Sequence, residues 1–301
     1  MCSSDLMKLG MIGLDTSHCP AFVTLLNNPD HEFHIPGSRI VKAFPGGSMA
    51  FSLSRNRVEK FTAEVKPAGV AIVDRIADLD GLDGYFLESV DGNQHLEQFR
   101  QLAEFGKPVF IDKPLACSYR DARAIADLAE EKKIPVVTAS SIRFAQGIEG
   151  LLPSGTRTES AEAFGPMSLL EDYRDYFWYG IHSADALFAF MGRGCVGVQV
   201  IHEKAFDLLI GRWADGRIGT IRGNRINNYT FGITVTTADT VKTGIAVDQT
   251  PYYARMLRQV IPFLGGGVPP VELAESLEII AFLEAASRSL AAGGKEIALE
   301  L

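Results

Sequence analysis

Lys8-Leu9-Gly10-Met11-Ile12-Gly13-Leu14-Asp15-Thr16-Ser17-His18 decides the fold. A short apolar run stops at a glycine, a polar turn follows, and Phe22, Val23, Leu25 and Leu26 then recur at helical spacing. That order reads as strand, tight turn and helix. Further apolar runs follow at similar intervals: Arg39 to Phe44, stopped by Pro45-Gly46-Gly47, then Gly69 to Val73 and Gly84 to Leu87. Leu96, Phe99, Leu102 and Ala103 share a helical face that Gly106 closes, and Pro108 to Ile111 follows as another strand. Ser118 and Asp121 make a capping-box pattern ahead of Ala122, Ile125, Ala126 and Ala129, and Ile134 to Thr138 is one more buried run. Strands alternating with helices at this pitch imply a parallel sheet with right-handed crossovers. The fold class is therefore α/β, with residues 1–142 forming a doubly wound domain of nucleotide-binding type.

The pattern changes after Arg143. One helical stretch, His182 to Phe190, precedes strand-like runs at Val196–Ile201, Phe206–Trp213, Arg217–Arg222, Phe231–Thr237 and Val241–Val247, with Asp215-Gly216 as a hairpin turn. Consecutive strands without helices between them predict an α+β domain over residues 143–301, built on a large open, mainly antiparallel sheet. Leu273, Leu277, Ile280 and Leu283 mark a long helix behind Pro269-Pro270, with Glu272, Glu275 and Glu278 expected on its solvent side. Glu296 to Leu301 is the last strand-like piece.

Composition bounds the function. The 301 residues are 47% hydrophobic and 22% charged, and 37 acidic against 29 basic residues give a formal charge of −8 with no long basic run. Phosphate-backbone binding needs a concentrated basic face, so nucleic acid is not an expected partner. No apolar stretch approaches the roughly 18 residues of a membrane span, and Met1 to Gly10 lacks the order of a signal peptide. A cytoplasmic protein without a membrane partner is the expectation. Cys2, Cys19, Cys117 and Cys195 form no CxxC pair, which suits a reduced compartment and no structural zinc. His18, His31 and His34 with Cys19 and Asp30 match no common ligand spacing, so no metal is expected.

The strand Phe110-Ile111 runs straight into Asp112-Lys113-Pro114. In a doubly wound sheet ligands sit outside the carboxyl ends of strands, so this lysine points at a cofactor and substrate crevice. Alone, a Lys-Pro pair also reads as an ordinary surface turn, and its neighbours decide between the two. Ser89-Val90-Asp91-Gly92-Asn93-Gln94-His95, then Phe105-Gly106-Lys107-Pro108-Val109-Phe110-Ile111-Asp112-Lys113-Pro114, then Ser141-Ile142-Arg143-Phe144 and Gly180-Ile181-His182-Ser183-Ala184-Asp185 resemble, in order and spacing, the signatures of the Gfo/Idh/MocA family of NAD(P)-dependent oxidoreductases. Trp213-Ala214-Asp215-Gly216 and Val268-Pro269-Pro270-Val271 are similar to segments of that family's second domain.

The resemblance implies a Rossmann domain, a nicotinamide cofactor, NAD or NADP, and hydride transfer at a hydroxyl carbon of a small molecule such as a sugar, cyclitol or related polyol. It assigns catalysis to Lys113, on the nicotinamide ribose and substrate hydroxyl, and to His182, which moves the proton. Elementary chemistry agrees: taking hydride from an alcohol carbon requires removing the hydroxyl proton, which suits a histidine, and a neighbouring lysine steadies the oxyanion.

Two departures stand out. Of a Gly-x-Gly-x-x-Gly fingerprint only Gly13 remains, and Asp15 brings a carboxylate into the loop that should receive a diphosphate. Thr16, Ser17 and His18 are compensating donors. The candidate cofactor contacts are thus Gly13, Asp15, Thr16, Ser17, His18, Asp91, His95, Asp112 and Lys113, although His95 also reads as the start of a helix. No acid ends the second strand; Ser48, Ser54, Arg55 and Arg57 read either as a 2′-phosphate site or as a solvated helix start, which leaves NAD and NADP open. The second departure is Trp178, where the family often has an aspartate four residues before its histidine. Asp172 or Asp175 are the replacements, or simple surface charges. Candidate substrate contacts are Arg143, Tyr173, Arg174, Asp175, Trp178 and His182, with the aromatics reading equally as sugar platforms or as cover for the sheet. The departures favour a rival reading, a divergent homologue that binds or scaffolds without dehydrogenase activity; a third keeps the nicotinamide for net non-redox chemistry. An open sheet with an apolar face predicts a homodimer or homotetramer.

Overall fold

A computed structural model describes residues 6–301, and Cys2 lies outside the described residues. The first half alternates as its periodicity predicts: β1 (Met7–Ile12), α1 (His18–Asn27), β2 (Ser38–Phe44), α2 (Ser52–Val65), β3 (Ala71–Ile72), β4 (Gly84–Leu87), α3 (His95–Ala103), β5 (Val109–Ile111), α4 (Tyr119–Lys132) and β6 (Val136–Val137). These strands form one six-stranded sheet in the order β3-β2-β1-β4-β5-β6, with every pairing parallel. Consecutive apolar residues are buried along the whole of β4 and β5, as in strands covered on both faces. Phe22 of α1 meets the Phe86 ring at 5.5 Å, and Phe86 meets Phe110 at 5.8 Å. Each fully buried ring of this kind contributes roughly 1.5–3 kcal/mol. The chain order reverses between β1 and β4, which places the ligand crevice of such a sheet outside their carboxyl ends.

The second half contains β7 (Ser160–Pro166), α5 (Gly180–Met191), β8 (Cys195–His202), β9 (Phe206–Trp213), β10 (Ile218–Asn224), β11 (Gly232–Thr236), β12 (Val241–Ile245), α6 (Tyr252–Leu264), α7 (Leu273–Ala291) and β13 (Ile297–Ala298). Its sheet has seven strands in the order β12-β11-β7-β10-β9-β8-β13. Only β10 with β7 is parallel among these pairings, so the mainly antiparallel expectation holds. Helices α5 and α7 meet through Phe188 and Phe282 at 5.7 Å, and Phe188 also packs on Trp213 of β9 at 5.5 Å. Burial alternates along β9 and β10, and Ile201, Phe206, Ile218, Val241 and Ile245 remain exposed.

Two compact units emerge. One holds the chain through Ala116 with Arg120–Thr138 and Tyr253–Leu273; the other holds Cys117–Tyr119, Ala139–Tyr252 and Ala274–Leu301. The chain touches the second unit briefly at Cys117–Tyr119 and passes into it again at Ala139. The return of residues 253–273 to the nucleotide-binding unit has no counterpart in the sequence reading. Helix α6 earns its place there by packing: Tyr253 lies 4.6 Å from the His18 ring and 5.6 Å from Phe22.

The acids of α7 correct the sequence reading. Glu275 bonds Arg143, and Glu278 is buried, accepting the backbone N–H groups of Gly194 and Cys195 at 2.7 Å each. They face structure rather than solvent because each has charged or backbone donors to satisfy. Among the described residues no helix is long and apolar enough to cross a membrane.

Candidate active site

Gly13 turns the chain out of β1 at φ +86°, a conformation that favours glycine. A Cβ there would stand 2.3 Å from the Ser89 backbone nitrogen, so the loops after β1 and β4 touch at this residue. Asp15 then points inward. It is fully buried, accepting from Ser54 Oγ at 2.5 Å and from the Val90 N–H at 2.9 Å. Burial pushes its carboxyl above the ordinary value, and the Ser54 and Val90 donors pull the other way. The carboxylate that seemed to oppose a diphosphate is thus committed to the protein interior. Thr16 is buried, while Ser17 is exposed at the start of α1.

Ser54→Ala removes the donor to Asp15 and the acceptor of the Ser48 N–H, which lies 2.6 Å from Ser54 Oγ. The variant should lose about 1–3 kcal/mol at pH 8. Because the lost bond favours the ionised carboxyl, the deficit should shrink as pH falls through the raised pKa of Asp15. Urea unfolding at pH 8 and pH 5 checks this, and equal losses at both would refute the assigned role.

Ser48 and Ser54, read from sequence as one possible phosphate site, hold carboxylates instead. Ser48 Oγ donates to Asp91 at 2.7 Å, and Gln94 Nε2 donates to the Gly47 carbonyl at 3.2 Å. These bonds join the loops after β2 and β4 across the end of β1. Asp91 also caps the following turn, accepting from the Asn93 backbone at 3.1 Å. His95 is fully buried with Nε2 2.7 Å from the Ser89 carbonyl and Nδ1 3.2 Å from that of Leu115. It ties the β4 loop to the turn that carries Lys113.

At the ends of β4 and β5 lie Glu88, Asp112 and Lys113, all buried, with a cis peptide between Lys113 and Pro114. His18, the first residue of α1, reaches Asp112 at 2.9 Å and Glu88 at 3.7 Å through Nδ1. Burial opposes charge on the imidazole, but the Asp112 and Glu88 carboxylates outweigh it and raise its pKa to about 9. Burial, then repulsion from Asp112, drives Glu88 upward; Asp112 is held low against burial by His18 and Lys113.

The second unit places the other predicted residues. His182 lies in the first turn of α5, half-buried, with Nδ1 2.7 Å from Ser140 Oγ. Its ring rests against Tyr179 at 5.7 Å and Phe231 at 5.4 Å. Asp185, one turn later on the same face, accepts from the Ser140 N–H at 2.7 Å and from Arg143 Nη2 at 2.9 Å. Arg143 Nη2 also donates to Glu275 at 2.5 Å. Against the cost of burial, these two carboxylates lift the guanidinium pKa further. Ser140 and Asp185 were not singled out as site residues by the sequence, although Asp185 stood in the quoted Gly-x-His-x-x-Asp segment.

The segment before α5 is anchored in the same way. Arg174 donates to the Cys117 carbonyl at 2.5 Å and to Glu284 at 2.8 Å, and its guanidinium lies 5.1 Å from the Phe177 ring centre. The Cys117 thiol donates to the Tyr173 hydroxyl at 3.2 Å, while Trp178 packs edge-on against Tyr173 and Tyr179. Asp172 is exposed and Asp175 half-exposed.

A dinucleotide at the β1/β4 crevice needs a tight turn, helix N–H groups facing a diphosphate, and no opposing charge. The turn at Gly13, the start of α1 at His18 and the inward Asp15 meet those needs, so the residues present fit a diphosphate.

Comparisons with known proteins agree with this architecture. Residues 39–140 match the family model described as Oxidoreductase family, NAD-binding Rossmann fold. An uncharacterized oxidoreductase of Streptococcus pneumoniae serotype 4 is 23% identical over 111 residues, 37% of this chain, and the match spans only 30% of that relative. Among solved structures, myo-inositol dehydrogenase from Lactobacillus casei, in complex with NAD(H) and myo-inositol, superposes with a TM-score of 0.78 at 16% identity, covering 98% of this chain and 97% of the other. A probable dehydrogenase from Thermotoga maritima gives 0.76 at 17% identity, with 97% and 99% covered. At such identities the structural likeness speaks to fold. The family model thus matches about a third of the chain, and that stretch is similar to the NAD-binding domain of the Gfo/Idh/MocA oxidoreductases.

Proposed function

We propose that the chain is an NAD(P)-dependent oxidoreductase that transfers a hydride between a nicotinamide and a hydroxyl carbon of a sugar, cyclitol or related polyol. The observation that carries this reading is Lys113, buried at the carboxyl end of β5 in a Rossmann sheet of the matched family. The myo-inositol dehydrogenase with the same fold supports the polyol class. Gly13, Thr16 and Ser17 are the backbone positions that would hold the diphosphate, and Lys113 the nicotinamide end. The nicotinamide, when bound, supplies or accepts the hydride.

In this scheme the Lys113 ammonium bonds the substrate hydroxyl, lowers its pKa and steadies the oxyanion. His182 takes or returns the hydroxyl proton at Nε2, because its Nδ1 is held by Ser140. Ser140 thereby orients the ring where the family often uses an aspartate. His182→Gln should lower kcat about 10²–10⁴-fold with KM little changed. Steady-state rates on any polyol the enzyme turns over measure this, and undiminished kcat would remove His182 from the proton transfer.

Titrating the protein with NADH and with NADPH while following nicotinamide fluorescence tests the reading as a whole. Saturable binding of one or both is expected; no binding of either at millimolar concentration would overturn it. Trp178, where the family often has an aspartate, favours a second reading, a homologue that binds a small molecule without dehydrogenase activity, and this titration separates the two. Cytoplasmic placement is supported by Cys19, Cys117 and Cys195, all buried and outside any disulfide. Assembly as a homodimer or homotetramer is supported by the apolar side chains Ile201, Phe206, Ile218, Val241 and Ile245 exposed on the seven-stranded sheet.

A further inference from the structure

Three side chains that are far apart in sequence meet at the carboxyl ends of adjacent parallel strands. His18 opens the helix after β1, Glu88 follows β4 and Asp112 follows β5. One donor atom from each lies within 4.8 Å of the others. The separations are 2.9 Å from His18 Nδ1 to Asp112 and 3.7 Å from His18 Nδ1 to Glu88. Cations bound by nitrogen and oxygen ligands at about 2.0–2.2 Å hold neighbouring donors at such spacings.

Pairing of His18 with Asp112 leaves much of the cluster unsatisfied. His18 Nδ1, Asp112 Oδ2 and both carboxylate oxygens of Glu88 are buried and make no aligned hydrogen bond, despite their short separations. Glu88 has no exposed surface at all. Two buried carboxylates beside a single imidazole are costly unless a further cation or a proton compensates them. The Cys19 thiol nearby donates to the Gly13 carbonyl at 3.0 Å and is not needed as a ligand.

We propose that His18, Glu88 and Asp112 bind one divalent transition cation, zinc or manganese. One imidazole with two carboxylates is a donor set both ions accept, and three protein ligands leave a coordination position open for water or another ligand. The cluster adjoins the proposed cofactor site, but binding of a cation can be measured whether or not NADH or NADPH binds. The rival occupant is a proton shared within the cluster.

The test uses the full chain, dialysed against a chelator and titrated with zinc chloride or manganese chloride by calorimetry. One equivalent should bind with a dissociation constant at or below the micromolar range. Glu88→Gln has nearly the shape of the neutral acid, so the metal-free variant should melt within a few degrees of the parent while binding the cation at least 100-fold more weakly. His18→Gln should show the same loss. Absence of tight binding to the parent would overturn the proposal in favour of the shared proton. Undiminished binding by Glu88→Gln would do the same, assigning the ion to surface histidines such as His31 or His34. If Glu88→Gln does not fold, anomalous scattering from zinc-soaked crystals of the parent decides: a peak bonded to all three side chains supports the site, and zinc found only elsewhere overturns it.

Discussion

Lys113→Met should lower kcat on any polyol the enzyme oxidises by at least about 10²–10³-fold, the usual cost of removing one donor that steadies a developing oxyanion. Methionine keeps the length and apolar stem of lysine and removes only the ammonium, so far-ultraviolet circular dichroism should match that of the parent. The expected loss is large because Lys113 is buried beside the cofactor crevice, where water cannot replace the missing positive charge. Nicotinamide affinity should fall far less than kcat, since most of a dinucleotide's contacts lie elsewhere in a Rossmann site. Stopped-flow and steady-state rates with saturating cofactor make the measurement. Turnover equal to the parent's would take Lys113 out of the mechanism.

Arg143→Ala should be the most destabilising single change in the second unit, at about 3–5 kcal/mol. The guanidinium bonds Asp185 at 2.9 Å and Glu275 at 2.5 Å, and the Asp185 side chain is only 4% exposed. Removing the arginine leaves both carboxylates without their charged partner, and the penalty is that of an uncompensated buried charge rather than of a lost surface bridge. Arg143→Lys should recover only part of it, because an ammonium lacks the planar fork that engages both acids. Combining Arg143→Ala with Asp185→Asn should cost less than the separate losses together, since the second change removes the stranded charge. Urea unfolding of the four proteins provides the cycle. A loss below about 1 kcal/mol for Arg143→Ala would show that the network contributes no more than an exposed pair.

Much of this architecture was legible in the sequence because parallel strands buried on both faces are short apolar runs with turn residues at their ends. Pro45-Gly46-Gly47 and Gly106 announced their boundaries well. Strand β7 was not legible: Ala161, Ala163 and Gly165 carry no branched side chains, and they are small because the sheet is crowded there, a Cβ on Gly165 coming 2.4 Å from the Phe231 ring. Helix α6 escaped because Pro262 and paired tyrosines blur its period. Of the proposed site, Lys113 and His182 stand in ordered motifs. Ser140 was not legible, since its contact with His182 spans 42 residues. Asp15 was read as facing outward because the fingerprint fixes where its backbone lies but says nothing of Ser54, whose hydroxyl turns the carboxylate inward. The cluster of His18, Glu88 and Asp112 has no local spacing to detect, as only strand order in the sheet brings it together.

The return of Tyr253–Leu273 to the nucleotide-binding unit has a consequence for biosynthesis. Domains usually fold in turn as they leave the ribosome, amino-terminal first. Here the nascent Rossmann sheet emerges without the helix whose Tyr253 covers His18 and Phe22, and it must wait for more than a hundred further residues before that face is sealed. A fragment ended at Thr138 would present the same bare apolar surface permanently. The two units of this chain are therefore distinct in structure but not in synthesis: neither is finished until most of the other has been made.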